Sequence, residues 1–356
     1  MNSKVTLIIP VRREADMLIR CLKTVQAGTM VPEIIVMDCT ADVKALDKAR
    51  KLFRDVRFFD FGMNPGRAHA ANTGIHITQT PYVMTLSPRL LVGKHCVEKL
   101  CGALEKDSTL FSVQAGILSA EDPSRISGAG WLVDLTASPV VRGAGSKASR
   151  YRRGAGITAA QMDAAIYRME YLEVTGIFDE RFYSRLEDLD LGYRAVTAGF
   201  RNAYVPGAVC REMKGEPDSS FYRQLERGNL EYFRYKYGLK GPKAPKGEAD
   251  PEIAAALERG RMLCFQAEIE QMEREQMGMS VTKQTLPEEF YMEIQKDGPH
   301  GVFPLYLGER SGDSLLQNPA LLRARAGMLA GSARKLWDKI PLGSPFSGRL
   351  KSEKSE

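Results

Sequence analysis

Over its first 90 residues the chain alternates short, almost wholly apolar runs with segments whose apolar side chains recur at helical spacing. Val5–Val11 is apolar and β-branched and reads as a buried strand. Residues 14–27 then set Met17, Leu18, Cys21, Leu22 and Val25 along one helical stripe, with Gly28 as a stop. A second strand over Glu33–Met37 ends at Asp38, and Asp42–Phe53 reads as a helix. Val56–Phe61 follows as a third strand, Gly66–Thr78 as a helix and Tyr82–Leu86 as a fourth strand. Strands apolar along their whole length need cover on both faces, which predicts an α/β fold on a mostly parallel sheet sandwiched by helices. Polar residues follow each strand: Arg12-Arg13-Glu14, Asp38, Asn64-Pro65-Gly66-Arg67 and Ser87-Pro88-Arg89. Ligands of such sheets bind beyond the carboxyl ends of the strands, so these four loops are expected to meet in one pocket.

The remainder divides by composition. Residues 119–156 are rich in Gly, Ser, Pro and Arg and predict irregular, partly mobile loop. Order is expected again over Thr158–Arg168, with helices over Met169–Gly176 and Leu189–Gly199 and a strand over Phe200–Val205. Residues 239–246 read as a linker, and Pro251–Met279 and Ala320–Ile340 as amphipathic helices. The expected organisation is one domain over 1–240, a linker over 241–250, and a mainly helical extension with a basic tail over 251–356.

Several classes of function fall away on composition. There is no apolar run of about 18 residues to span a membrane, and Met1-Asn2-Ser3-Lys4 leads directly into a strand rather than a signal peptide. Six scattered cysteines without a C-x-x-C pair read as reduced thiols of a cytosolic protein. Four histidines, none spaced as a ligand pair, argue against histidine-based metal chemistry. From Ala320 to Glu356 eight basic residues face three acidic ones, so a net charge of +6 leaves the rest of the chain nearly neutral.

Leu7-Ile8-Ile9-Pro10-Val11-Arg12-Arg13-Glu14 resembles the I-I-P-T-Y-N-E opening of family 2 glycosyltransferases of the GT-A fold. Ile34-Ile35-Val36-Met37-Asp38 is similar to their second strand, and Asn64 through Gly74 to their N-x-G-x-A-x-A-x-N-x-G helix start. Further on stand Ala165-Ile166-Tyr167-Arg168, Val174 through Phe182, Glu187-Asp188-Leu189-Asp190-Leu191, Ala198-Gly199-Phe200 and Tyr204-Val205-Pro206. In that order they resemble the signature of the rhamnosyltransferase-like branch, and the likeness covers about residues 1–240. It implies a nucleotide half over 1–110, an acceptor half over 111–240, and inverting, hexosyltransferase-type transfer from a nucleoside diphosphate sugar. It also implies a glycan or lipid-linked acceptor, as in surface polysaccharide assembly.

The resemblance assigns Asp188 as the base that takes the acceptor's proton and Glu187 as its neighbour, which orients the acceptor or holds Arg185. Both also suit a helix start, where acidic residues are favoured anyway. Pro10, Val11, Glu14, Asp38, Arg67, Ser87 and Arg89 are the expected nucleotide-sugar contacts. Asp38 equally suits a cap of the next helix. The family ends its fourth strand in D-x-D or N-P-D, whose last aspartate holds Mg²⁺ or Mn²⁺ on the diphosphate, whereas this chain reads Leu86-Ser87-Pro88-Arg89. A guanidinium binds no cation but supplies its own charge and forked donors. No protein ligand for a metal is therefore expected at that position. The alternative is a protein that kept the fold as a binding or scaffold module and lost turnover. A nucleotidyltransferase ranks last, since Val11-Arg12-Arg13-Glu14 has no glycine-rich phosphate loop. Expected partners are the donor, the acceptor and, through 320–356, the anionic inner face of a membrane, with no nucleic acid.

Overall fold

The structure is a computed structural model that describes residues 3–42, 44–133, 138–215 and 220–239, together with eight positions between 255 and 266. In chain order the elements begin β1 (Val5–Val11), α1 (Ala15–Gln26), β2 (Glu33–Asp38), α2 (Asp47–Leu52), β3 (Arg57–Asp60), α3 (Arg67–His76) and β4 (Tyr82–Leu86). There follow β5 (Leu90–Val92), α4 (Cys96–Lys106), β6 (Leu110–Leu118), β7 (Ile126–Gly128), β8 (Trp131–Val133), β9 (Pro139–Val141) and β10 (Ala155–Ile157). The last are β11 (Ala164–Arg168), α5 (Met169–Thr175), α6 (Glu187–Thr197), β12 (Arg201–Glu212) and α7 (Ser220–Tyr237).

One mixed sheet organises the molecule, in the order β10-β12-β6-β11-β4-β1-β2-β3. Its first half is parallel throughout, with β1 between β2 and β4, and β2 beside β3. β11 enters antiparallel between β4 and β6, and β12 runs parallel to β6. Alternation along β1 shows why the runs are apolar: Leu7 and Ile9 join a core with α1 and α4, while Ile8 joins another with α3, α6 and α7. The fold is GT-A-like α/β, as expected.

The differences are local. The helix expected over Asp42–Phe53 forms only as α2, and the third strand shortens to Arg57–Asp60. Residues 119–156 hold short strands rather than irregular loop. β8 and β9 pair from Trp131↔Val141 to Val133↔Pro139, and Trp131 N–H donates to the Ala159 carbonyl at 2.8 Å. The glycines that suggested loop there supply turns with positive φ, as at Gly143 (+81°). β12 continues seven residues past the expected Val205, through a register shift between Tyr204 and Val209. The linker and both C-terminal helices lie outside the described residues, apart from the eight positions between 255 and 266, which are helical.

Candidate functional site

The chain winds from β1 to β2 and β3 on one side and returns to place β4 on the other. A crevice must open where that direction reverses, beyond the ends of β1 and β4. A cavity of about 150 Å³ lies there, walled by Pro10 and Val11 of β1 with Arg12 and Glu14 beyond it, by Leu86 of β4 with Ser87, Pro88 and Arg89 beyond it, and by Arg67 at the start of α3. It shares Arg12, Glu14, Cys39, Asn64, Arg89 and Tyr222 with an adjoining groove of about 980 Å³. Of the expected contacts, Pro10, Val11, Glu14, Arg67, Ser87 and Arg89 are brought together at this crevice.

Asp38 does not line it. That carboxylate is 3% exposed, accepts from Thr40 N–H (3.0 Å) and Thr40 Oγ1 (2.7 Å), and meets Arg50 Nη2 at 3.0 Å. It shapes the turn that carries Cys39 to the wall. Glu14 likewise holds backbone, its Oε2 accepting from the N–H groups of Arg12 (3.2 Å) and Arg13 (2.9 Å).

Glu187 and Asp188 sit behind the crevice at the first turn of α6, 1% and 5% exposed. Asp188 accepts from Trp131 Nε1 (3.1 Å), Met162 N–H (2.8 Å) and Leu189 N–H (2.8 Å). Neither oxygen of Glu187 has a hydrogen-bond partner among the described residues, and its nearest cation is Arg67 Nε at 3.8 Å. Burial pushes the Glu187 carboxyl up to about 7, opposed by Arg67 and reinforced by Asp188. Burial also raises Asp188, against the pull of Arg67 and the Met162 N–H. Arg67 joins these groups to the crevice, since its Nη2 donates to Asp163 Oδ1 at 2.9 Å. Burial opposes the charge of Arg67, but Asp163, Glu187 and Asp188 outweigh it and raise its pKa.

The far wall comes from a segment with unusual backbone: Tyr183, Arg185 and Leu186 have φ of +61°, +78° and +65°. Such residues cost about 1–3 kcal/mol each and persist only where their surroundings hold them. Here the holder is Asn229 of α7, 0% exposed, whose Nδ2 donates to the carbonyls of Phe182 (2.8 Å), Ser184 (2.9 Å) and Arg185 (2.8 Å). From the same helix the Tyr222 ring lies against Arg12 (4.3 Å) and Arg185 (5.7 Å), and Arg12 Nη1 donates to its hydroxyl. Sequence reasoning missed Asp163, Tyr183, Tyr222 and Asn229, which carry no local pattern. Arg211, Lys214, Arg223 and Arg227 do not line the cavity. Asp190 is taken by Arg194 (2.9 Å), Lys236 (2.7 Å) and the Tyr237 hydroxyl (2.7 Å).

The model of glycosyl transferase family 2 matches residues 6–173. That span contains every crevice residue contributed by β1, α3, β4 and the approach to β11, whereas Tyr183–Asp188 and Tyr222 lie beyond it. No curated protein matches the chain. Among solved structures, that of GalNAc-T7 with UDP, GalNAc and Mn²⁺ is similar over 76% of this chain, at 14% identity and a TM-score of 0.51. This chain spans 58% of the length of that one. The mannosyltransferase PcManGT from Pyrobaculum calidifontis, in complex with GDP-Man and Mn²⁺, aligns over 96% of this chain and 89% of its own. Its identity is 16% and its TM-score 0.49.

Proposed function

We propose that the crevice binds a nucleoside diphosphate sugar and that the protein transfers the sugar, with inversion, to a hydroxyl of a glycan or lipid-linked acceptor. One observation carries this: an arginine-lined crevice stands at the strand-order reversal, with most of its lining residues inside the segment that matches the family 2 model. In the reaction the acceptor oxygen bonds to the anomeric carbon as the bond from that carbon to the β-phosphate oxygen breaks. The electron pair leaves with the nucleoside diphosphate, and the hydroxyl proton passes to a carboxylate. Asp188 is assigned that proton. Its three N–H donors fix the carboxylate while leaving an acceptor site open, and its raised pKa suits a base. Trp131, half-buried and bonded to Asp188, marks the side from which the acceptor would approach. Glu187 faces the Arg67 guanidinium at 3.8 Å and helps to orient it.

The same proposal takes 1–240 as the catalytic domain, its likeness to the rhamnosyltransferase-like branch, a hexosyl donor and a cytoplasmic role in polysaccharide assembly. No helix among the described residues is long and apolar enough to cross a membrane. Contact with anionic lipid through 320–356, outside the described residues, is tested by vesicle sedimentation at low and high salt.

A second reading has a specific observation behind it: neither Glu187 nor Asp188 lines the cavity. A protein that binds the donor without turning it over fits that burial. Incubating the full chain with a panel of nucleoside diphosphate sugars and glycan acceptors, and measuring nucleoside diphosphate release, separates the two. Transfer lost in Asp188→Asn supports the enzyme. Donor binding without release from the wild-type protein supports the binding module.

A further inference from the structure

We infer that the crevice holds the diphosphate with guanidinium groups and without a divalent cation, Arg89 standing at the end of β4 as the principal donor. This rests on the proposed donor, but it names a mode of binding that the fold alone does not dictate. A divalent cation such as Mg²⁺ on a diphosphate takes one or two protein carboxylates, with phosphate oxygens and water completing its shell. The described residues contain no group of three or more Asp, Glu, His or Cys that could hold one. Among the described residues two carboxylates wall the crevice, and both are engaged: Glu14 by the backbone N–H groups of Arg12 and Arg13, and Asp163 by Arg67. The described residues therefore do not fit the cation.

What they fit is an anion. Among the described residues Arg12, Arg67, Arg89 and Arg185 line the cavity against Glu14 and Asp163, two more positive than negative side chains. All four arginines are half-buried, so their charge is screened less than at a free surface. A metal ion entering here would face their combined repulsion, whereas phosphate oxygens would find forked donors from several directions.

Arg89 is set in place rather than merely nearby. Its N–H donates to Ser87 Oγ at 3.3 Å, and its carbonyl accepts from Met213 N–H at 2.8 Å, which fixes the backbone on both sides. Its guanidinium passes over Gly215, where any Cβ would overlap it. Tyr222 does comparable work across the crevice, stacking with both Arg12 and Arg185. The positive charge is thus built into the walls, contributed by the loops after β1 and β4, the start of α3 and the segment before α6.

Calorimetric titration of the full chain tests this, with UDP, GDP, ADP, dTDP and inorganic pyrophosphate as probes, each in EDTA and in MnCl₂. The expected result is a nucleoside diphosphate and pyrophosphate bound with affinities equal within about threefold in the two buffers. Arg89→Gln should weaken both by roughly 10- to 100-fold, the span of a hydrogen bond to a charged group. Gly215→Val should weaken them through displacement of the same guanidinium, and circular dichroism verifies that both variants fold. Binding that appears only with Mn²⁺, or Arg89→Gln binding as tightly as wild type in EDTA, overturns the guanidinium site while leaving the donor reading intact. Failure of every probe in both buffers overturns the donor reading and this inference together.

Discussion

Replacing Asn229 tests whether one buried amide holds the crevice wall in its left-handed backbone. Asn229→Ala removes the two Nδ2 hydrogens that serve three carbonyls, at 2.8–2.9 Å, beside residues with φ of +61°, +78° and +65°. A buried acceptor left unsatisfied costs about 1–3 kcal/mol. With two donors shared among three acceptors the gross loss is about 2–5 kcal/mol, part of which returns as the strained residues relax. A net loss of about 2–3 kcal/mol should lower the melting temperature by roughly 4–12 °C in a domain of this size. Asn229→Asp makes a sharper test, since it keeps the volume but aims acceptor oxygens at three carbonyls, and should destabilise more than alanine. Scanning calorimetry gives the stability, and hydrogen exchange over residues 182–189 reports the segment itself. The reasoning is refuted if alanine shifts the melting temperature by less than about a degree, or if aspartate proves milder than alanine.

Three other outcomes follow from the same geometry. Glu187 has a folded pKa raised to about 7 by burial, so the native state holds a proton that the unfolded chain releases near its ordinary carboxylate value. Stability should therefore fall as pH rises from about 4.5 to 7, and Glu187→Gln should flatten that decline by about 1–3 kcal/mol in pH-dependent melts; parallel curves for the two proteins would count against it. Asp188→Asn should cut transfer by about 10²–10⁴ while donor affinity, measured by calorimetry, stays within a few fold. Gly66 has φ of +94°, and a Cβ there would come within 2.5 Å of the Tyr183 ring and 2.8 Å of its carbonyl oxygen. Gly66→Ala should cost about 2–4 kcal/mol in denaturant melts, and a loss under about 0.5 kcal/mol would show that the Tyr183 segment yields freely.

What could be read in advance was whatever one stretch of chain decides by itself. β1 and β4 have the expected boundaries and β2 ends at the expected Asp38, because a strand buried on both faces is apolar along its length. Ser87 and Arg89 were placed for the same reason, since a strand end fixes the loop that follows. Asp38 shows the limit: its position was legible, but its partner Arg50 stands on the next helix, and no pattern at Asp38 announces it. Glu187 and Asp188 were legible as a pair at a helix start. Which oxygens find donors depends on Trp131 and Met162, from segments whose Gly-rich or mixed composition carried no signal. Tyr222 and Asn229 belong to a helix with ordinary periodicity, and only tertiary packing sets them over the crevice.

The insertion of β11 between β4 and β6 also sets a timetable for synthesis. β4 is finished at Leu86, yet the strand that closes its second edge begins only at Ala164. For about 80 residues of elongation, roughly 4–16 s at 5–20 residues per second, that edge has no partner in its own sheet. β6 waits likewise for Arg201, the first residue of β12. An apolar strand with open backbone groups invites pairing with any neighbouring chain. The nascent protein on the ribosome is therefore open to such pairing in this interval, and a holdase that covers the β4 edge until β11 emerges should raise its yield.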